Sequence, residues 1–152
     1  MKVSEFTQEL KQYSAKRGIE VSQWRGAHRN TENLLQISDG RERVLLYVKY
    51  RSDPPGWWGI NENQLSSLSS SGLHWFVVLL VGGAESGYML SSRQVSQGLS
   101  RGRWSRDQND YKLHEGPEVR RDNRKITHRD HRNFTHPWFV SSMILGRESR
   151  GR

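Results

Sequence analysis

The sequence contains no cysteine, four prolines and no long apolar run. Without cysteine the chain cannot form a disulfide, bind a metal through thiolates or use a cysteine nucleophile, which is typical of a reducing compartment. The longest apolar stretch, residues 74–81, is far too short to span a bilayer. Polar residues interrupt the N-terminus from Ser4 onward, so no signal peptide is predicted. We therefore expect a cytoplasmic protein without a membrane partner.

Aliphatic residues are also scarce, since hydrophobic residues make up 33% of the chain and the mean hydropathy is −0.88. Six Trp, five Tyr and four Phe compensate, because each aromatic side chain buries a large apolar area. A chain of 152 residues has the length of one domain. We predict a single domain over residues 1–152, with a core over about 5–95.

The positive charge is concentrated at one end of the chain. The net charge is +8, and 13 of the 24 Lys and Arg residues, against 7 of the 16 acidic ones, lie in residues 101–152. Such a region favours a polyanion, because each cation on a phosphate releases condensed counterions. A solvated basic tail is the alternative, although Trp104 and Trp138 indicate folded structure. We predict that this basic extension contacts double-stranded DNA through Arg101, Arg103, Arg106, Arg120, Arg121, Arg124, Lys125, Arg129 and Arg132.

Hydrophobic periodicity gives the order of elements. Apolar residues three and four apart predict a helix over about 4–17, capped by Ser4 and ended by Gly18. Strands are predicted near 19–24, at 34–38 and 44–50 around a turn at Asp39-Gly40, at 74–81 and at 88–90. A second helix is expected over about 61–70, and 139–145 is a further candidate for burial. This order predicts an α/β fold with a mixed sheet.

The hairpin carries the first chemical signal. Strand alternation places residues 45, 47 and 49 on one face, so Lys49 shares a largely buried face with Tyr47. A buried lysine is rare unless it is paired or functional. A two-residue turn would bring Asn33 roughly opposite Tyr47, so that Asn33, Tyr47 and Lys49 converge. The competing interpretation is an ordinary hairpin whose lysine reaches the solvent.

The segments Asn33-Leu34-Leu35-Gln36-Ile37 and Tyr47-Val48-Lys49 resemble the D-φ-φ-x-φ … (E/D/Q)-x-K pattern of PD-(D/E)XK restriction-type nucleases. Glu9 resembles the helix glutamate of archaeal Holliday-junction resolvases, and residues 64–68 and 75–78 resemble the helix and strand that complete the core. The resemblance implies a restriction-endonuclease-like sheet flanked by helices, with the basic extension added.

The resemblance also implies a Mg²⁺ site in which Glu9 and the Asn33 position hold the metal, Tyr47 lies beside them, and Lys49 assists the attacking water. Two positions depart from the family, because Asn33 replaces an aspartate and Tyr47 replaces an acidic residue or glutamine. If the register of the hairpin differs from this one, an oxygen of Glu32, Gln36 or Asp39 takes the place of Asn33 as a metal ligand. An engineered replacement at position 33 is a further explanation.

The leading hypothesis is a Mg²⁺-dependent, site-specific DNA endonuclease, with a homing endonuclease preferred for its basic extension. Cutting two strands implies a homo-oligomer, either a dimer or a tetramer. The alternatives are a Holliday-junction resolvase, a catalytically impaired DNA-binding module on the same scaffold, and an unrelated basic interaction protein.

Two further features give weaker evidence for function than the hairpin does. His128, His131 and His136 lie among arginines, which favours contacts to DNA over a metal site. Trp57 and Trp58 are adjacent on a predicted loop, where one of them is exposed to stack on a base or both cap the edge of the core. No Walker loop, nucleophile elbow or dinucleotide fingerprint is present.

Overall fold

The computed structural model describes residues 2–15, 18–27, 31–83, 87–116, 119 and 124–126. The elements of this part of the chain are, in order, α1 (Lys2–Ala15), β1 (Glu20–Gln23), β2 (Leu34–Ser38), β3 (Arg43–Arg51), β4 (Trp57–Asn61), α2 (Glu62–Ser70), β5 (His74–Val81), β6 (Gly87–Ser91), α3 (Ser92–Ser100), β7 (Ser105–Asp107), β8 (Asp110–His114) and β9 (Arg124–Ile126).

These strands form two sheets. The larger has the order β1-β2-β3-β5-β6-β9, and the smaller has the order β4-β8-β7. Strands β1, β2 and β3 form an antiparallel meander, whereas β3 and β5 are parallel because β4 and α2 carry the chain back between them. The predicted mixed-sheet α/β fold is confirmed. The predicted order of helix, three strands, helix and buried strand holds for the large sheet, whereas β4, which the sequence analysis did not predict, lies between β3 and α2.

Helix α1 begins at Lys2, two residues before the predicted cap Ser4, so Ser4 lies inside the helix. Its end agrees with the prediction. Gly18 has a φ of 71°, and the Ile19 and Gly18 N–H groups donate to the Ser14 and Ala15 carbonyls at 3.1 and 3.5 Å. This left-handed cap stops the helix and turns the chain into β1.

The β2–β3 hairpin has a longer loop than predicted. Ser38 pairs with Arg43, so four residues form the turn, and Leu34 rather than Asn33 lies opposite Tyr47. Asp39 closes this loop, since its Oδ1 accepts the Glu42 and Arg41 N–H groups, both at 2.9 Å. These two hydrogen bonds lower the pKa of Asp39. Asn33 therefore meets Val48, whose N–H donates to the Asn33 carbonyl at 2.8 Å, so the predicted pairing of Asn33 with Tyr47 was wrong by one position.

The large sheet separates two hydrophobic clusters. Helix α1 packs on one face, where its apolar residues meet Leu46 and Val48 of β3. Helices α2 and α3 cover the other face, where Leu65 and Val95 join Leu45 and Tyr47 of the same strand. Alternation along β3 therefore assigns consecutive side chains to different cores.

The second cluster extends past residue 95, the predicted limit of the core. Trp104, Leu113 and Val119 are buried in it, strand β8 pairs with β4, and β9 adds an edge to the large sheet. Helix α3, which the sequence analysis missed, begins with a capping box between Ser91 and Gln94. Part of the predicted extension is thus built into both sheets.

Several predictions fall outside the described part of the chain. These concern the three histidines of residues 128–136, the segment 139–145, Arg120, Arg121, Arg129 and Arg132, and the side chains of Arg124 and Lys125, whose backbone belongs to β9. Among the described residues, no helix is long and apolar enough to cross a membrane.

Candidate functional site

A polar cavity lies where β3, β4, α2 and β8 meet. Its volume is about 430 Å³, and it is lined by Thr31, Tyr47, Lys49, Gly59, Asn61, Asn63, Gln64, Asn109 and Asp110. The strand β3 supplies Tyr47 and Lys49 from the face opposite α1. Pairing of β4 with β8 sets Asn61 against Asp110. Residues far apart in the chain are therefore brought to one opening.

Asn61 connects three of these elements. Its Oδ1 accepts the Gln64 N–H at 3.1 Å and so caps helix α2, while its Nδ2 donates to Asp110 Oδ1 at 3.3 Å. The Asn61 backbone N–H donates to the Tyr47 hydroxyl oxygen at 3.3 Å. Asn61 thus holds the first turn of α2, the Asp110 carboxylate and the Tyr47 phenol through hydrogen bonds, and these bonds fix the shape of the cavity wall.

The ammonium group of Lys49 is the positive charge of the cavity. Burial lowers the pKa of Lys49, and the Asp110 carboxylate partly opposes this shift. Within the described residues Lys49 forms no salt bridge, and its Nζ lies 5.7 Å from the centre of the Tyr47 ring. A half-buried cation without an ion pair favours the entry of an anion.

Tyr47 acts as a neutral group. Burial raises the pKa of Tyr47 to about 12, the hydrogen bond from the Asn61 N–H opposes the shift, and the Asp110 charge adds to it. The phenol therefore keeps its proton at neutral pH. Tyr47 therefore supplies no negative charge to the cavity.

The structure brings Tyr47 and Lys49 together but not the other two predicted residues. The Asn33 Nδ2 donates to the Val48 carbonyl at 2.6 Å, and Asn33 does not line the cavity. Glu9 belongs to α1, which packs on the opposite face of the sheet from Lys49. The predicted convergence of Asn33 with Lys49 was wrong because the register differs by one. The metal-binding roles of Glu9 and Asn33 stay predictions.

Asp110 is the cavity residue that the sequence analysis missed. It lies 61 positions after Lys49 and reaches the cavity only because β8 pairs with β4. A hairpin signal at residues 107–110 was available, but the partner of β8 is not its neighbour in the chain. Of the predicted DNA contacts, Arg101 and Arg103 are exposed, whereas Arg106 forms a salt bridge with Glu62.

The resemblance stated from the sequence implies Mg²⁺, a hard cation that proteins hold through one or two carboxylates together with waters and substrate phosphates. The cavity offers one carboxylate, from Asp110, together with side-chain amides, a neutral phenol and the Lys49 ammonium. Throughout the described ranges, no three His, Cys, Asp or Glu residues cluster to hold a metal. With one carboxylate beside the Lys49 ammonium, this donor set would hold Mg²⁺ only together with oxygens from a bound phosphate and from water.

No protein-family model and no curated protein matches the sequence. Among solved structures, the chain is similar to Hjc, a Holliday junction resolvase from the archaeal hyperthermophile Archaeoglobus fulgidus. The two share 16% sequence identity with a TM-score of 0.48, and the match covers 74% of this chain and 88% of that one. This similarity concerns the fold.

Proposed function

We propose that this chain is a DNA-binding protein on a nuclease-type scaffold, and that Lys49 receives a backbone phosphate in the polar cavity. The observation that carries the proposal is the half-buried Lys49 ammonium, which faces a polar opening without an ion pair among the described residues. A phosphate oxygen would supply the missing negative partner.

The rest of the cavity wall is suited to the same ligand. Asn63, Gln64 and Asn109 present side-chain amides, which donate hydrogen bonds to phosphate oxygens. Asp110 is the one acidic group on the wall, and its Oδ1 already accepts from Asn61. The net charge of +8 adds long-range attraction for DNA.

The test is a comparison of two lysine variants by fluorescence anisotropy with a short duplex at low salt. We expect Lys49→Met to weaken binding by about 10-fold or more, because a hydrogen bond to a charged group contributes about 1.5–3 kcal/mol. Lys11→Met removes the same charge from an exposed position of α1 and serves as the matched control. Equal losses in the two variants would assign the effect to net charge alone and contradict the proposal.

A second candidate is endonuclease activity at the same cavity, which the proximity of Asp110 to Lys49 favours. The homing-endonuclease hypothesis depended on a basic extension over residues 101–152, and its first part forms the strands Ser105–Asp107 and Asp110–His114 of the small sheet. We therefore prefer a resolvase-like substrate. A four-way junction and a linear duplex of the same arms, each incubated with Mg²⁺, separate these possibilities.

Cleavage of the junction by the wild type, lost in Lys49→Ala, would make the chain a nuclease rather than only a binding module. Cutting both strands requires two copies of the site, so this candidate also predicts a homodimer. Light scattering of the protein with and without junction DNA measures the number of subunits.

A further inference from the structure

The two adjacent tryptophans of β4 have opposite environments. Trp58 is 2% exposed, and its Nε1 donates to the Leu80 carbonyl at 2.9 Å. Trp57 is 39% exposed, and it is the one large hydrophobic side chain that is exposed among the described residues. Strand alternation forces one of the two indoles outward, but it does not explain why a large aromatic side chain occupies that position.

Two cations lie over the ring of the exposed indole, where a stacking base would displace one of them toward its phosphate. The Arg51 guanidinium carbon is 4.8 Å and the Lys112 Nζ is 5.9 Å from the Trp57 ring centre. The Arg51 Nε is buried without a hydrogen-bond partner among the described residues. Lys112 pairs with the exposed Asp107 at 3.2 Å. An exposed aromatic ring flanked by cations is the combination that binds both parts of a nucleotide, its base and its phosphate.

The indole and the Lys49 cavity lie on one surface. Trp57, Gly59 and Asn61 alternate onto the same face of β4, and Gly59 and Asn61 already line the cavity. Trp57 and Asn61 are four positions apart along the strand, a distance of about 13 Å. The Asp110 carboxylate lies over Gly59, with its Oδ2 3.3 Å from the position that a Cβ would take, so it marks the boundary between the cavity and the indole. A strand held at the cavity reaches the indole along this face of β4 by passing Asp110.

We propose that Trp57, flanked by Arg51 and Lys112, stacks on an unpaired DNA base whose strand passes through the Lys49 cavity. This inference rests on the proposed DNA binding and specifies its substrate as DNA with unpaired bases. A base inside a duplex has both faces covered by its neighbours, so only an unpaired base can offer a face to the indole.

The experiment measures the affinity of the whole chain for three oligonucleotides: a duplex, the same duplex with a three-thymine bulge, and the bulged duplex with abasic sites in place of the thymines. We expect the wild type to prefer the bulged duplex by about 10-fold, because stacking on an aromatic side chain contributes about 1–3 kcal/mol per base. The preference should vanish with the abasic bulge.

Variants at the platform complete the test. Trp57→Ala should bind all three oligonucleotides equally, with an affinity for the plain duplex within about twofold of the wild type. Trp57→Phe, which keeps an aromatic face and checks that the strand still folds, should retain part of the preference. Ser105→Ala, on the exposed strand β7, is the matched control and should behave as the wild type.

The outcomes separate the two proposals. If the wild type binds the plain duplex but shows no preference for the bulge, or if Trp57→Ala keeps the preference, the stacking platform is overturned while DNA binding stands. If the wild type binds none of the oligonucleotides at low salt, both proposals fail. A loss of preference confined to the Trp57 variants supports the platform.

Discussion

The two faces of the large sheet are built from the same strands but differ in what covers them. The 14-residue helix α1 lies on one face and closes it over aliphatic side chains such as Leu46 and Val48. Two nine-residue helices and the small sheet cover the other face, and they leave a polar cavity beside Tyr47 and Lys49. One strand, β3, thus contributes alternately to a closed core and to an open site.

This division suggests that stability and binding can be changed separately. A side chain on the closed face has no route to a ligand, so its loss should affect only folding. A polar side chain at the cavity adds little to the core, so its loss should affect only binding. The following predictions test this separation, beginning with the largest effect.

Phe6→Ala on the closed face should lower the free energy of unfolding by about 3–5 kcal/mol, because Phe6 is fully buried and its removal leaves a cavity. Urea denaturation monitored by circular dichroism measures the change. The affinity of the folded protein for duplex DNA should stay within about twofold of the wild type, since nothing at the cavity is altered.

Thr7→Ala, one position along the same helix, provides the control. Thr7 is partly exposed and its hydroxyl donates to the Val3 carbonyl at 2.9 Å, so we expect a loss of about 1 kcal/mol or less. If Phe6→Ala reduced DNA affinity as strongly as Lys49→Met, the two faces would be coupled and the separation would be wrong.

The difference between the faces also explains what the sequence could predict. Local sequence signals were sufficient to predict α1, β2 and β5, because the periodicity of the apolar residues and the turn residues that end each element lie within or next to the segment itself. Alternation correctly grouped Leu45 with Tyr47. The loop length of the hairpin was less certain, since Asp39-Gly40 is typical of a two-residue turn whereas the Asp39 carboxylate closes a four-residue loop.

The cavity itself could be predicted only in part. Lys49 was recognised because a charge in a buried strand is unusual, but Asp110 depends on the pairing of β8 with β4 across the chain. Such non-local pairing leaves little trace in the neighbouring sequence. Trp57 was predicted as a loop residue, and the structure instead places it at the start of β4. Of the two interpretations that the sequence left open, the structure matches the one in which one indole is exposed.

The protonation of Lys49 gives a pH dependence that belongs to the open face alone. Burial lowers the pKa of Lys49 from its ordinary value of 10.5, so the charge of Lys49 is lost at a lower pH than the charge of an exposed lysine. DNA affinity should therefore fall by up to about 10-fold below pH 10.5, before exposed lysines lose their charge. Anisotropy titrations from pH 7 to about 10 follow the change.

Lys49→Arg should flatten this pH profile, because the guanidinium group keeps its proton throughout the range. The variant tests the assignment independently of its absolute affinity. A wild-type profile that is flat up to pH 10, or one that Lys49→Arg leaves unchanged, would show that another group controls binding.

The smallest expected effect comes from the carboxylate of the cavity. Asp110→Asn removes the one negative charge on the wall and keeps an oxygen that can accept from Asn61. A phosphate beside Lys49 then meets less repulsion, so DNA affinity should rise by about threefold, in line with the 0.2–1 kcal/mol typical of a partly exposed charge pair. Glu20→Gln, at the exposed first position of β1, is the matched control for net charge. Equal gains in both variants would remove Asp110 from the phosphate site.

The same variant separates the nuclease from the binding module, because only cleavage depends on keeping the carboxylate. If Mg²⁺-dependent cleavage of junction DNA disappears in Asp110→Asn while binding tightens, the result favours the nuclease.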